Sequence, residues 1–271
     1  MALSDKEFAD LRRAKQLLEN PGYAIRLTNL VGKPIEKGMA LLPKNWSVVV
    51  NKAVNVSMNK ALSFAIKTMH SGSRRGSKEF LHKVGAATSG GVGGMFGFSS
   101  LVFELPISTI IMLRSIADIA RDEGEDIRQP ETELACLEVF ALGGTTKADD
   151  VADTGYYAVR AALAKLLNEA AKYIAEKGMV EEGAPAIVKF LMRIAARYGI
   201  IVSQKAAATA IPVIGAISGA AINTIFINHF QDMARGHFII RRLERAYGEA
   251  FIKAEYDKII MPKPQKNLPA K

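Results

Sequence analysis

From residue 84 to residue 113 the sequence runs through thirty positions with one ionisable side chain, Glu104. A second stretch, 206–231, has no formally charged residue. Runs of this length have to be withdrawn from water, into lipid or into a protein core. More than about 18 apolar residues without charge is enough for a membrane-crossing helix. Both stretches are diluted, however, by Gly85, Gly90, Gly91, Gly93, Gly94, Gly97 and Pro106 in the first and by Pro212, Gly215 and Gly219 in the second. Gly90–Gly94 and Gly93–Gly97 stand at GxxxG spacing, which lets two helix backbones approach closely. Three arrangements remain open: a membrane span, shallow insertion, and two Gly-rich helices packed back to back inside a soluble protein.

The rest of the chain reads as helix. Residues 4–18 form an amphipathic helix with Ser4 as N-cap and Glu7 at the capping-box position. Pro21, Gly22, Gly32, Pro34, Gly38 and Pro43 punctuate a linker after it. From 46 to 69, Val50, Val54, Met58, Ala61, Ala65 and Met69 recur at helical spacing. Pro106 interrupts the first uncharged stretch, and a helix continues over 107–121. Further helices are predicted at 131–142, opened by Pro130 and closed on Gly143-Gly144, and at 149–177, 184–198 and 232–258. No strand alternation persists beyond a few residues. The fold class is all-α, a multi-helix bundle around the two Gly-rich segments. Thr109-Ile110 through Arg121 and Thr224-Ile225 through Arg235 echo each other, which a pseudo-twofold core would explain. The expected organisation is an N-terminal helix and linker over 1–43, one helical domain over 44–260, and a Pro-rich disordered tail over 261–271.

Charge is segregated. Thirty-six Lys and Arg against 27 Asp and Glu give +9. Between residues 37 and 78 there are eight basic residues and no acid, while 118–150 holds ten acids against three basic residues. Lys52, Lys60 and Lys67 fall within an arc of about 80° on one helix. With Lys44, Arg74 and Arg75 they form a candidate binding face for an anionic membrane surface or lipid. The alternative is that this face pairs with the acidic segment inside the fold. Nucleic acid is disfavoured, because aromatic content is only 7% and no recognition motif is present.

Glu104 needs a partner or its proton, since an isolated buried carboxylate is too costly. Backbone N–H groups near Ile107 and Ser108, or the Arg114 guanidinium, are the expected partners. Glu104, Arg114, Asp118 and His229 also form the one polar set that could serve a soluble hydrolase-like enzyme. Catalytic motifs are otherwise missing: there is no GxSxG, no complete phosphate loop, no HExxH and no cysteine cluster. His229, Asp232 and His237 on one helix are a weak metal pattern, so no metal and no cofactor is expected. Cys136, between Ala135 and Leu137, reads as a buried core thiol. The N-terminal residues are charged and lack an apolar signal-peptide core, which predicts a cytoplasmic protein.

Several blocks resemble the EcsC family: Gly90-Gly91-Val92-Gly93-Gly94, then Glu104-Leu105-Pro106-Ile107-Ser108-Thr109. The likeness continues through Leu113–Arg121, Gly124-Glu125-Asp126, Pro130-Glu131, and Leu137-Glu138-Val139-Phe140-Ala141-Leu142-Gly143. In the C-terminal part Ile211-Pro212-Val213-Ile214-Gly215-Ala216, with Gly219, Ala220 and Asn223, is similar to the same family. The family is named for a protein encoded beside the subunits of an ABC transporter. The resemblance therefore implies a helical protein associated with membranes and a transporter or other membrane-protein partner, and brings no catalytic residues. The expectation is a non-enzymatic, membrane-associated accessory or lipid-interacting protein; the rival is the soluble enzyme.

Overall fold

Long amphipathic stripes dictate the architecture. In the computed structural model, which describes residues 2–19, 22–69, 101–143, 155–177, 184–211 and 218–261, every regular element is helical. The elements are α1 (Asp5–Glu19), α2 (Gly22–Val31), α3 (Ile35–Met39), α4 (Trp46–Met69), α5 (Leu101–Asp122) and α6 (Pro130–Glu138). A 3-10 turn (Val139–Ala141) follows, then α7 (Tyr156–Lys177), α8 (Pro185–Ala210), α9 (Ser218–Tyr247) and α10 (Glu249–Lys258). The all-α expectation holds.

The axis of the bundle is α9, 30 residues and so about 45 Å long. It buries Ile222, Phe226, Phe230, Met233, His237, Ile240 and Leu243 at steps of three and four, one continuous stripe. Around it pack α1, α2, α5, α8 and α10, while α4 lies against α5 and α8. An aromatic cluster of Phe140, Tyr198, Phe226 and Phe230, with contacting ring centroids 5.1–6.2 Å apart, joins the 3-10 turn, α8 and α9. Two glycines permit close approaches between helices. A side chain on Gly236 would meet Leu18 Cγ at 2.6 Å, and one on Gly38 would overlap the backbone of Ala207.

Wedged against α4, α5 and α7 is α6. From Thr132 to Leu142 every residue is buried, so this short helix has no solvent face. A helix enclosed on all sides is normally apolar all round. This one carries Glu133 and Glu138 inward, and it is closed by Gly143 at φ +74° and by Arg197 Nε donating to the Ala141 carbonyl at 3.1 Å.

Several sequence expectations are corrected. The supposed linker is α2 and α3, because Tyr23, Leu27, Val31 and Ile35 have a core to enter. Pro106 lies inside α5 and does not break it. As the sixth residue it forfeits one intrahelical donor, to the Val102 carbonyl, and both the Ser108 and Thr109 hydroxyls donate to the adjacent Leu105 carbonyl, at 3.0 and 2.7 Å. The helix starting near 184 runs on to Ala210, and the one expected over 232–258 is divided by Gly248 at φ +86°. The glycines at GxxxG spacing and the 212–217 part of the second apolar stretch lie outside the described residues. Among the described residues no helix is long and apolar enough to cross a membrane.

Candidate functional site

The basic face comes first. Lys44, Lys52 and Lys60 are exposed and make no ion pair among the described residues. Lys67 belongs to α4, but its side chain, like Arg74 and Arg75, lies outside what the structure describes. The solvent face of α4 adds Asn51, Asn55 and Asn59 at four-residue steps and the exposed Val48. The acids of the 118–138 region are taken up elsewhere. Glu125 receives Arg241 through two hydrogen bonds of 2.8 and 3.3 Å, with Arg245 and Thr132 on the same carboxylate. Arg242 joins Glu123 and Asp10, each at 2.7 Å. Among the described residues Glu123 and Glu125 are thus taken by the arginine row of α9, and none of the acids pairs with Lys44, Lys52 or Lys60.

The polar residues singled out from the sequence are brought together only in part. Glu104, in the first turn of α5, accepts from Lys205 Nζ at 2.8 Å, and Lys205 also reaches Asn223 Oδ1 at 3.0 Å and stands 4.6 Å over the Phe226 ring. The member of this pair that is out of water is Lys205, with 6% side-chain exposure against 40% for Glu104. Arg114 lies over the Phe64 ring instead of beside Glu104. Asp118 is exposed and pairs with Arg121 at 2.8 Å. Fourteen residues of helix, about 21 Å, separate Asp118 from Glu104, so these two carboxylates do not share a cleft. His229 is buried apart from both, on α9 between Tyr23 and Phe230.

Sequence reasoning missed a second polar cluster around α6. Tyr156 Oη and His237 Nδ1 are 3.0 Å apart, and His237 Nε2 faces Glu138 Oε2 at 3.9 Å. Arg160 grips Glu244 at 2.8 and 2.9 Å, and Tyr157 donates to the same carboxylate at 3.0 Å. Burial drives the titration of this cluster. It pushes Glu138 up to about 7, against the opposing charges of Arg160 and Arg241, and it holds His237 far below its ordinary value. Glu133 is likewise raised to about 7 by burial. For Glu125 burial also pushes upward, but the hydrogen bonds and charge of Arg241, aided by Arg245, overcome it and leave the carboxyl below the usual range. Two buried carboxyls poised near neutrality and one held ionised is an arrangement that can store or release protons. The enclosure of Glu138 and His237, at 3% and 0% exposure, keeps a substrate from reaching them. Among the described residues no cluster of His, Cys, Asp and Glu could hold a metal ion.

A model of the EcsC protein family matches residues 6–243, and the chain belongs to that family. Neither a curated protein nor a solved structure matches it.

Proposed function

We propose that this protein is a non-enzymatic accessory factor that lies on an anionic membrane surface through the outer face of α4. One observation supports this above the rest: Lys44, Lys52 and Lys60 stay exposed and unpaired among the described residues although the chain has acids to offer them. Each lysine close to an anionic leaflet contributes about 1 kcal/mol, so three give about 3 kcal/mol. Binding of that size is reversible and salt-sensitive, and a second attachment, such as a membrane-protein partner of the transporter type, would strengthen it.

Co-sedimentation with vesicles tests the proposal. Wild type should pellet with vesicles containing phosphatidylserine, less so as salt rises, and hardly at all with phosphatidylcholine alone. The double variant Lys52→Glu/Lys60→Glu removes about 2 kcal/mol of attraction and adds repulsion, a loss of at least about thirtyfold in binding. Equal pelleting of variant and wild type, or of anionic and neutral vesicles, would overturn it.

A further inference from the structure

At the corner between α3 and α4, apolar side chains stand in water. Within positions 41–48, Leu41 and Val48 are 55% and 67% exposed, and Leu42 and Trp46 rest on the core only partly buried. Tight turns hold the corner in shape. The Leu41 amide donates to the Gly38 carbonyl at 3.0 Å, and the Trp46 amide to the Pro43 carbonyl at 2.9 Å. Gly38 seats it against the backbone of Ala207 on α8. Charge around the corner is one-sided: Lys37, Lys44 and Lys52 are exposed and make no ion pair among the described residues, and Glu36 is the nearest acid in sequence. Val48 stands one turn before Lys52, on the same face of α4. Phe103, 77% exposed in the first turn of α5, belongs to the same end of the bundle, because its neighbour Glu104 pairs with Lys205, two residues from Ala207. Single exposed apolar side chains are ordinary, but a cluster of them inside a basic rim marks an interaction surface.

We propose that this corner is a membrane anchor, with Leu41 and Val48 entering the boundary between lipid headgroups and acyl chains. The inference rests on the reading of α4 as a membrane-binding face and adds the apolar half of the contact. Lysines alone hold a protein loosely, and stable attachment takes a second signal. Lys37, Lys44 and Lys52 keep their ammonium groups among the lipid phosphates while their methylene stems lie along the apolar boundary. Trp46, the only tryptophan, falls between the two aliphatic residues in sequence, and an indole prefers this layer. Insertion is shallow, about 5–10 Å for an element that lies in the interface, and among the described residues no helix is long and apolar enough to go further. An anionic bilayer meets both needs at once, apolar depth for Leu41 and Val48 and negative charge for the lysines. A second copy of this chain would set the same lysines against each other.

As the only tryptophan, Trp46 reports on the corner directly. The full-length protein is mixed with vesicles of phosphatidylserine and phosphatidylcholine, or of phosphatidylcholine alone, and pelleting and Trp46 emission are followed together. On the anionic vesicles the emission should shift to the blue. Acyl chains brominated near the headgroup should quench it more than chains brominated near the methyl end. Leu41→Ser/Val48→Ser should bind about tenfold more weakly than wild type. Both side chains lie largely in solvent, and an unchanged melting temperature will show that the variant folds. If wild type pellets with anionic vesicles but Trp46 neither shifts nor is quenched, or if the variant binds like wild type, insertion is overturned while the surface contact of α4 stands. If wild type pellets with neither vesicle, both are overturned. A blue shift on raising the protein concentration without vesicles, lost in the variant, would give the corner to a second copy and overturn the anchor.

Discussion

Replacing Glu138 by glutamine isolates the consequence of burying a carboxyl in α6. Glutamine keeps the shape of the protonated acid and cannot ionise. The folded protein holds Glu138 at about 7, against an ordinary value of 4.5, so between these limits the native state binds the extra proton. Stability must then fall as pH rises through that window. For a shift of this size the cost is about 1.4 kcal/mol at pH 5.5 and about 3 kcal/mol at pH 8, a difference of about 2 kcal/mol. In a chain of this length that moves the melting temperature by about 4–8 °C. Glu138→Gln should therefore gain about 2 kcal/mol on wild type between pH 5.5 and pH 8. Glu133, raised to a similar value, keeps its own share of the slope, so the variant flattens the pH profile without abolishing it. Glu125 acts in the opposite sense: its folded value is depressed, and its contribution is lost as pH falls below about 4.5. On these three carboxyls alone, wild-type stability should be highest near pH 4.5 and fall from there towards pH 7. Urea unfolding across pH measures all of this. If Glu138→Gln destabilises equally at pH 5.5 and pH 8, Glu138 is ionised and paired throughout, and the reasoning fails.

The pair between α5 and α8 should respond asymmetrically to the loss of either partner. Glu104→Ala strands the buried Lys205 ammonium and should cost about 3 kcal/mol, the low end for a broken buried pair because Glu104 is partly screened by water. Lys205→Met removes the buried charge itself, leaves Glu104 to the solvent and should cost about 1 kcal/mol; a larger loss from Lys205→Met than from Glu104→Ala contradicts this assignment. Cys136 is fully enclosed and burial pushes its thiol far up, so thiol reagents at pH 8 should label it only as fast as the protein unfolds. Rapid labelling of the native protein would contradict that burial.

Local signals made much of the helical frame legible in the sequence. The capping box forms as expected, with the Ser4 amide donating to Glu7 Oε2 at 2.9 Å, and α4 has the predicted limits. Gly143 ends the buried segment at positive φ, as its place after the apolar run suggested. Tertiary burial overrode the punctuation elsewhere: Gly32, Pro34 and Gly38 looked like a linker, yet α2 and α3 pack on α8 and α9. The polar core was hidden for a related reason. Arg241, Arg242, Glu244 and Arg245 look like the solvated face of a charged helix, while their partners Glu125, Glu123, Asp10 and Arg160 lie 80 or more residues away in sequence. The one available clue was charge segregation, an acidic block around 118–138 with only Arg121 and Arg128 to match it, and it pointed equally well to the lysines of α4.

The seam between α1 and the last two helices sets a timetable for the nascent chain. Lys15 donates to the Tyr256 carbonyl, Tyr247 donates to Glu7, and Arg242 joins Asp10, each across more than 230 residues. At typical synthesis rates of 5–20 residues per second, α1 waits roughly 10–50 s for those partners to be made. Throughout that wait its stripe of Leu11, Ala14 and Leu18 lacks the surface of α9 that it packs on. Made well before its partners, α1 is sealed only when they arrive, and any slowing of translation between them lengthens the interval in which that stripe is open to other apolar surfaces.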